Sequence, residues 1–387
     1  MHVVIAPDCF TGTLTATQAA EAIGAGWARS APQVVQTLVP LSDGGPGFLD
    51  VLARHLDGEM IATTVPDPLG REVPASVLLV TEGGGRTAYL ESAQAAGLHL
   101  LAAAERNPTV TSSYGVGRLL LAAREAGASR IVVGLGGSGT NDGGAGLLAA
   151  LGAGSVEDLG RGGLALRDLG PTALEALSAV RADWAGIELI AATDVDNPLL
   201  GLKGASAVFG PQKGATPQQA QDLEAALGHF ADRVARHLPP ATDLLTGKPR
   251  RLDKEPGAGA AGGLAYALFA LGARRRSGVE LTLAATGFAT LAAAADLVVT
   301  GEGCFDWQSL RGKVVSGVAQ AALAAATPCI VIAGQVLVGR REGMGIGLSG
   351  MYAVASDARQ EEAAFADPVG TLTDRAARVA RTWSPPA

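Results

Sequence analysis

The sequence predicts a wound α/β architecture. Short, unbroken apolar runs recur along the chain, Ala/Leu-rich helical patterns separate them, and five of the runs lead into a turn that carries an acid. Strand–helix alternation of this kind builds a parallel sheet. A parallel strand buried on both faces reads as a continuous apolar run, not an alternating one.

In chain order, strands are expected at His2–Ala6, Val35–Val39, Ala88–Glu91, Ile131–Val133, Glu188–Ala192, Leu297–Thr300 and Cys329–Ala333. After the first strand, Thr15-Ala16-Thr17-Gln18 has the spacing of a capping box and opens a helix running to about Trp27. Further helical patterns cover Arg118–Ala126, Ala145–Leu151, Gln218–His237, Gly262–Leu271 and Val315–Ala326. The stretch Leu238–Gly263 is rich in Pro, Gly and charge and reads as a long loop over a site.

With 387 residues, 48% of them apolar and 17% charged, the chain can bury two or three domain cores. A net charge of -7 argues against a nucleic-acid partner. The one basic run, Arg274-Arg275-Arg276, reads as a solvated helix end. No uninterrupted apolar stretch is long enough to span a bilayer, so no membrane is expected. The opening MHVVIAPD lacks a charged leader and reads as a strand. Cys9, Cys304 and Cys329 match no metal spacing and cannot all pair, which points to a reducing, cytoplasmic setting. Of 30 basic residues only five are lysine, so a lysine in a glycine-rich segment is a better candidate for a specific role than usual.

The acids fall at strand ends. Asp8 follows HVVIA, Asp43 lies in Ser42-Asp43-Gly44-Gly45, Asp142 follows RIVV across a glycine loop, Asp194 and Asp196 follow ELIAAT, and Glu302 follows DLVVT with Asp306 four residues on. Ligands of parallel α/β sheets bind outside the carboxyl ends of the strands. One such acid is ordinarily a turn or helix cap; five point to a shared site. Carboxylates near glycine loops suit a hard cation such as Mg²⁺.

Three glycine-rich segments could take phosphate: Gly134–Gly146, Phe209–Thr216 and Gly257–Gly263. None is a P-loop. Two have GxGxxG spacing, but no strand precedes Gly257–Gly263, and no acid closes a second strand about 20 residues after Gly134–Gly139, so a dinucleotide-dependent oxidoreductase is the weaker reading. None of the five histidines lies in a glycine loop, and no Ser/His/Asp or Cys/His arrangement emerges.

IAPDCFTGTLTATQAAEAI, PLSDGG, NPTVTSSYGVG, GLGGSGTNDGGAGLLAALG, ATDVDNPLLGLKGASAVFGPQKGAT, GAGAAGGLAYAL and ADLVVTGEGCFDWQSLRGKVVSGVA resemble, in the same order, successive segments of the type I glycerate kinases. The resemblance runs nearly end to end. It implies transfer of the γ-phosphoryl of ATP, with Mg²⁺, to a hydroxyl of D-glycerate, a small-molecule substrate, usually giving 2-phosphoglycerate. It also implies two α/β domains, one a discontinuous Rossmann-like domain of residues 1–63 and 286–387. The other, residues 64–285, is inserted, with the active site in the cleft. A homo-oligomer is compatible with it.

On this resemblance Gly136, Gly137, Ser138, Thr140 and Asn141 present the glycine loop to ATP phosphates, with Glu302 and Lys313 also on the nucleotide side. Lys213 is the phosphate-neutralising cation, Asp194 and Asp196 are expected on Mg²⁺, and the base is Asp43 or Asp142. Asp8, Asp306 and Arg311 are expected at the substrate. Three positions depart from the family pattern: Thr11 replaces a lysine, Pro46 a glutamate and Cys304 an arginine. A carboxylate substrate wants a cation, best a bidentate arginine, and Arg311 lies nearby in sequence. A kinase of another hydroxy compound, a weakened enzyme and a non-catalytic binding protein therefore stay as alternatives.

Overall fold

The computed structural model describes residues 1–238, 247 and 250–385. Their strands are β1 (His2–Pro7), β2 (Val35–Leu38), β3 (Gly58–Pro66), β4 (Glu72–Glu82), β5 (Gly85–Glu91), β6 (Arg130–Gly134), β7 (Glu188–Ala192), β8 (Arg274–Arg276), β9 (Leu297–Phe305), β10 (Cys329–Val336) and β11 (Leu348–Ala353). The chain divides into two compact units: Met1–Asp43 with Asp50–His55 and Ser277–Ala387, and Gly44–Leu49 with Leu56–Arg276. Both are α/β, as the strand–helix alternation predicts.

The first unit is built on an all-parallel sheet in the order β11-β10-β9-β1-β2. Its inner strands β1, β9 and β10 carry unbroken apolar runs because both of their faces are covered. Val3, Ile5, Val299, Ile330 and Ile332 face the helices Ala16–Ser30 and Pro368–Trp383. Val4, Ala6, Val298, Val331 and Ala333 face the helix Val314–Ala324. The two helices on the first face meet closely at Gly26, where a Cβ would stand 2.3 Å from the Thr373 carbonyl oxygen.

The second unit carries the sheet β3-β4-β5-β6-β7-β8. The β3–β4 and β4–β5 pairs are antiparallel, and β5 to β8 run parallel. Sequence patterning passed over β3 and β4. Strand β3 alternates half-buried with exposed residues at the sheet edge, the opposite of the unbroken apolar runs that marked the other strands. Arg274-Arg275-Arg276 is not a helix end but the short edge strand β8, paired with β7 through Ile190 and Arg274. Edge strands tolerate charge, which blunts unwanted pairing.

The unit boundaries follow from pairing and packing. Residues 56–63 belong to the second unit because β3 begins at Gly58 and pairs with β4 along its length. Residues 277–285 belong to the first, where Val279 packs with Phe288 and Val315. Of the loop expected over Leu238–Gly263, residues 239–246 and 248–249 lie outside the described residues. Its later part already forms the turn Leu252–Lys254 and the start of the helix Ala260–Ala270. No described helix is long and apolar enough to cross a membrane.

Candidate active site

In the second unit, β6 runs into the glycine loop and then into the short helix Ala145–Ala150. Gly137, Gly143 and Gly144 adopt φ of +64°, +65° and +75°, values that a side chain resists. The loop is held from inside by Asp142, which is fully buried. Its Oδ2 accepts from the Ser113 N–H and hydroxyl, both at 2.8 Å, and from the Gly146 N–H at 3.2 Å. Its Oδ1 accepts from the Gly144 N–H at 3.1 Å. Burial pushes its pKa up, and these donors pull it back. Asp142, which the sequence reading offers as a base alternative to Asp43, is thus buried and tied into the loop by these four hydrogen bonds.

Lys213 closes the loop from the other side. It ends the turn Pro211–Lys213 and is only 2% exposed. Its Nζ donates to the Ser138 hydroxyl at 2.8 Å and to the Thr140 carbonyl at 2.6 Å. Burial lowers its pKa to about 7, with the Asp142 charge opposing the shift. Lys213 thus lies beneath the loop, not on its open face. Thr140 and Asn141 are buried behind it as well. The Asn141 Nδ2 donates to the Ser206 hydroxyl at 2.9 Å, while Asn141 Oδ1 and Thr140 Oγ1 have no partner.

What remains is the run Gly136-Gly137-Ser138, which reaches the surface at the two glycines while Ser138 is buried. Gly136 is half-buried and Gly137 exposed, and Pro46 packs against Gly137. The three N–H groups make no hydrogen bond to any described residue. Consecutive unpaired amides on a glycine turn make a nest for an anion. Glu91, at the end of β5, accepts from the Gly47 N–H at 3.0 Å and the Leu49 N–H at 3.4 Å, fixing the segment that bears Pro46. Ser113, Ser206 and Glu91 were missed as site residues. Glu91 stands at a strand end like the other acids, but no Gly or Pro follows it to mark a turn.

In the first unit, Asp8, Asp43 and Glu302 gather at the carboxyl end of the sheet. The Asp8 N–H donates to the Gly301 carbonyl at 2.8 Å, so β1 and β9 bring Asp8 and Glu302 out side by side. Burial, Asp43 and Glu302 push the Asp8 carboxyl well above its usual range, against the Cys9 N–H and the Lys313 ammonium. Glu302 is 6% exposed, and its Oε1 has no partner. Burial raises its pKa to about 7, with Asp306 and Asp43 adding and Ser309 and Lys313 opposing. The cluster is acid-rich, and Lys313 is the one cation that acts on both Asp8 and Glu302.

Asp306 serves its own turn, accepting from the Gln308 N–H at 2.8 Å and the Ser309 N–H at 3.3 Å. That turn presents Arg311, exposed and without a partner among the described residues. Thr11 is exposed and Cys304 half-buried. Asp196, in the second unit, is 76% exposed and paired with Arg275 at 2.7 Å, so Asp194 and Asp196 do not stand as a free carboxylate pair. Among the described residues no three His, Cys, Asp or Glu side chains converge as a protein-only metal cage.

The sequence model of the glycerate kinase family matches residues 3–384. The chain belongs to that family. It is 41% identical over 370 residues to the glycerate kinase of Bacillus subtilis (strain 168), covering 94% of this chain and 93% of that one. To the glycerate 2-kinase of Escherichia coli (strain K12) it is 40% identical over 343 residues, covering 87% and 86%. A solved structure from Salmonella typhimurium LT2, described as a glycerate kinase 2, superposes with a TM-score of 0.72 at 37% identity, covering 99% of this chain and 98% of that one. The family member described here is thus a kinase by descent.

Proposed function

We propose that this kinase transfers the γ-phosphoryl of ATP to a hydroxyl of D-glycerate, giving 2-phosphoglycerate, with Mg²⁺ as the metal. The observation that carries the reading is the run of three unpaired amides at Gly136–Ser138, an anion nest in a chain of this family. Those amides hold phosphate oxygens. In phosphoryl transfer the protein's work is alignment, charge neutralisation and acceptance of the hydroxyl proton.

The donor chemistry favours Mg²⁺ in the first unit. Mg²⁺ is bound by one or two carboxylates completed by phosphate and water. Asp8 and Glu302 supply two buried acids, one with an orphaned oxygen, whereas Asp196 is neutralised by Arg275. Asp8 and Glu302 would hold the metal, which when bound offsets the phosphate charge. With Asp142 tied into the loop, Asp43 is the base that takes the hydroxyl proton. Lys313 and the open Arg311 supply cations, the arginine for the substrate carboxylate.

The test is ADP formation from Mg·ATP by the purified protein, with and without D-glycerate. Glycerate-dependent turnover is expected. Turnover with another hydroxy acid but not glycerate would replace the acceptor, and no turnover with either would sink the kinase reading.

A further inference from the structure

We propose that Lys213 is the positioning residue of the glycine loop and that the loop takes a phosphate together with one proton on that lysine. The inference rests on the phosphate-binding role proposed above. The ammonium bridges the two ends of the turn: Ser138, which closes the run of open amides, and the Thr140 carbonyl behind it. Both partners are neutral oxygens. Among the described residues no carboxylate hydrogen-bonds to Nζ, and Thr140 Oγ1 and Asn141 Oδ1 nearby in the chain are buried without partners. A buried cation with only neutral partners is destabilised until an anion arrives.

The charges around it are few. Asp142 acts on it from within the loop and is itself occupied by four donors. The segment paired with Ser138 carries His99, whose ring is partly buried. The backbone of the exposed Arg106 adjoins Gly214. Leu227 and Phe230 face Gly143, Gly262 and Gly263 lie against Thr140 and Gly143, and Ser206 holds Asn141, all uncharged. A phosphate on Gly136–Ser138 therefore adds a second negative charge to that of Asp142. The amine takes a proton from solvent onto its Nζ lone pair, and by linkage anion affinity falls as pH rises through the range where free Lys213 loses its proton, near 7.

The test is calorimetric titration of the whole protein with Mg·ATP, acceptor omitted, at pH 8 in two buffers of different ionisation enthalpy. At pH 8 the phosphates are already fully ionised, since their second pKa is about 6. The wild type should take up ~0.9 proton per nucleotide, and affinity should fall about tenfold per pH unit between 7.5 and 9. Lys213→Met should abolish the uptake and flatten the pH dependence, while His99→Gln should leave both intact. Tight binding with no proton uptake by the wild type overturns the inference, a result that needs no variant to fold. Uptake that persists in a folded Lys213→Met protein, or is lost in His99→Gln, overturns it too. Absence of any Mg·ATP binding would instead overturn the nucleotide reading beneath it.

Discussion

Asp142, in the loop after β6, and Glu302, in the later part of β9, are both buried acids, and they are opposites. Asp142 has four donors and Glu302 an orphaned oxygen. Removing Asp142 leaves the Ser113 and loop amides unpaired, so Asp142→Ala should lower stability by about 3 kcal/mol in urea unfolding. Glu302 works the other way. Its folded pKa, about 7, lies above its ordinary 4.5, so the folded state binds the extra proton between those values. Its penalty therefore grows from about pH 4.5 and is complete above about 7. Glu302→Gln should raise unfolding stability by up to about 3 kcal/mol at pH 8 and by less than about 1 at pH 5, while abolishing turnover. An equal gain at both pH values would mean that ionisation is not the source. That acids sit at strand ends was legible in the sequence. Which of them is an anchor was not, because two of the four donors that fix Asp142 come from Ser113, 29 residues upstream.

At the scale of elements, what was legible depended on local chemistry. The Thr15 and Gln18 capping box was read from spacing and is present in full. The same box at Thr216 and Gln219 opens the helix Pro217–His237 and was read only as the end of a glycine-rich segment. Thr216→Ala should cost about 1 kcal/mol, seen as a lower melting temperature. Strand β3 escaped because alternation at a sheet edge resembles polar loop more than buried strand, whereas β4 carries a buried apolar run, Val77–Val80, that the patterning passed over. The turn pinned by Asp306 offers the clearest functional test at this scale. Arg311→Ala should raise the KM for glycerate about tenfold or more with the KM for ATP near wild type, since one charge-assisted contact is worth about 1.5–3 kcal/mol. A matching rise in both would remove Arg311 from the substrate.

For the whole molecule, the two units interleave along the chain. Phe48 lies between first-unit segments in sequence, yet it is fully buried in the second unit, edge-on to Tyr89 with ring centroids 6.5 Å apart. Phe48→Ala should cost about 3–5 kcal/mol. Hydrogen exchange should locate the loss in β5 and β6, with the first unit's sheet nearly unchanged. Sequence alone indicated two α/β domains through family resemblance, but could not place this six-residue crossing, whose membership is decided by contacts with Gly134 and Tyr89.

The pairing of β1 with β9 also sets a schedule on the ribosome. Val3 lies beside Leu297 in the finished sheet, so one flank of the first strand made waits for a partner made about 300 residues later. At roughly 5–20 residues per second that delay is roughly 15–60 s. During it the nascent chain carries an apolar strand, Val3-Val4-Ile5-Ala6, with one edge uncovered, while Leu56–Arg276 has emerged and can fold. Strand edges of this kind invite misassociation, so chaperone dependence during synthesis should track the N-terminal strand, and not the larger second unit.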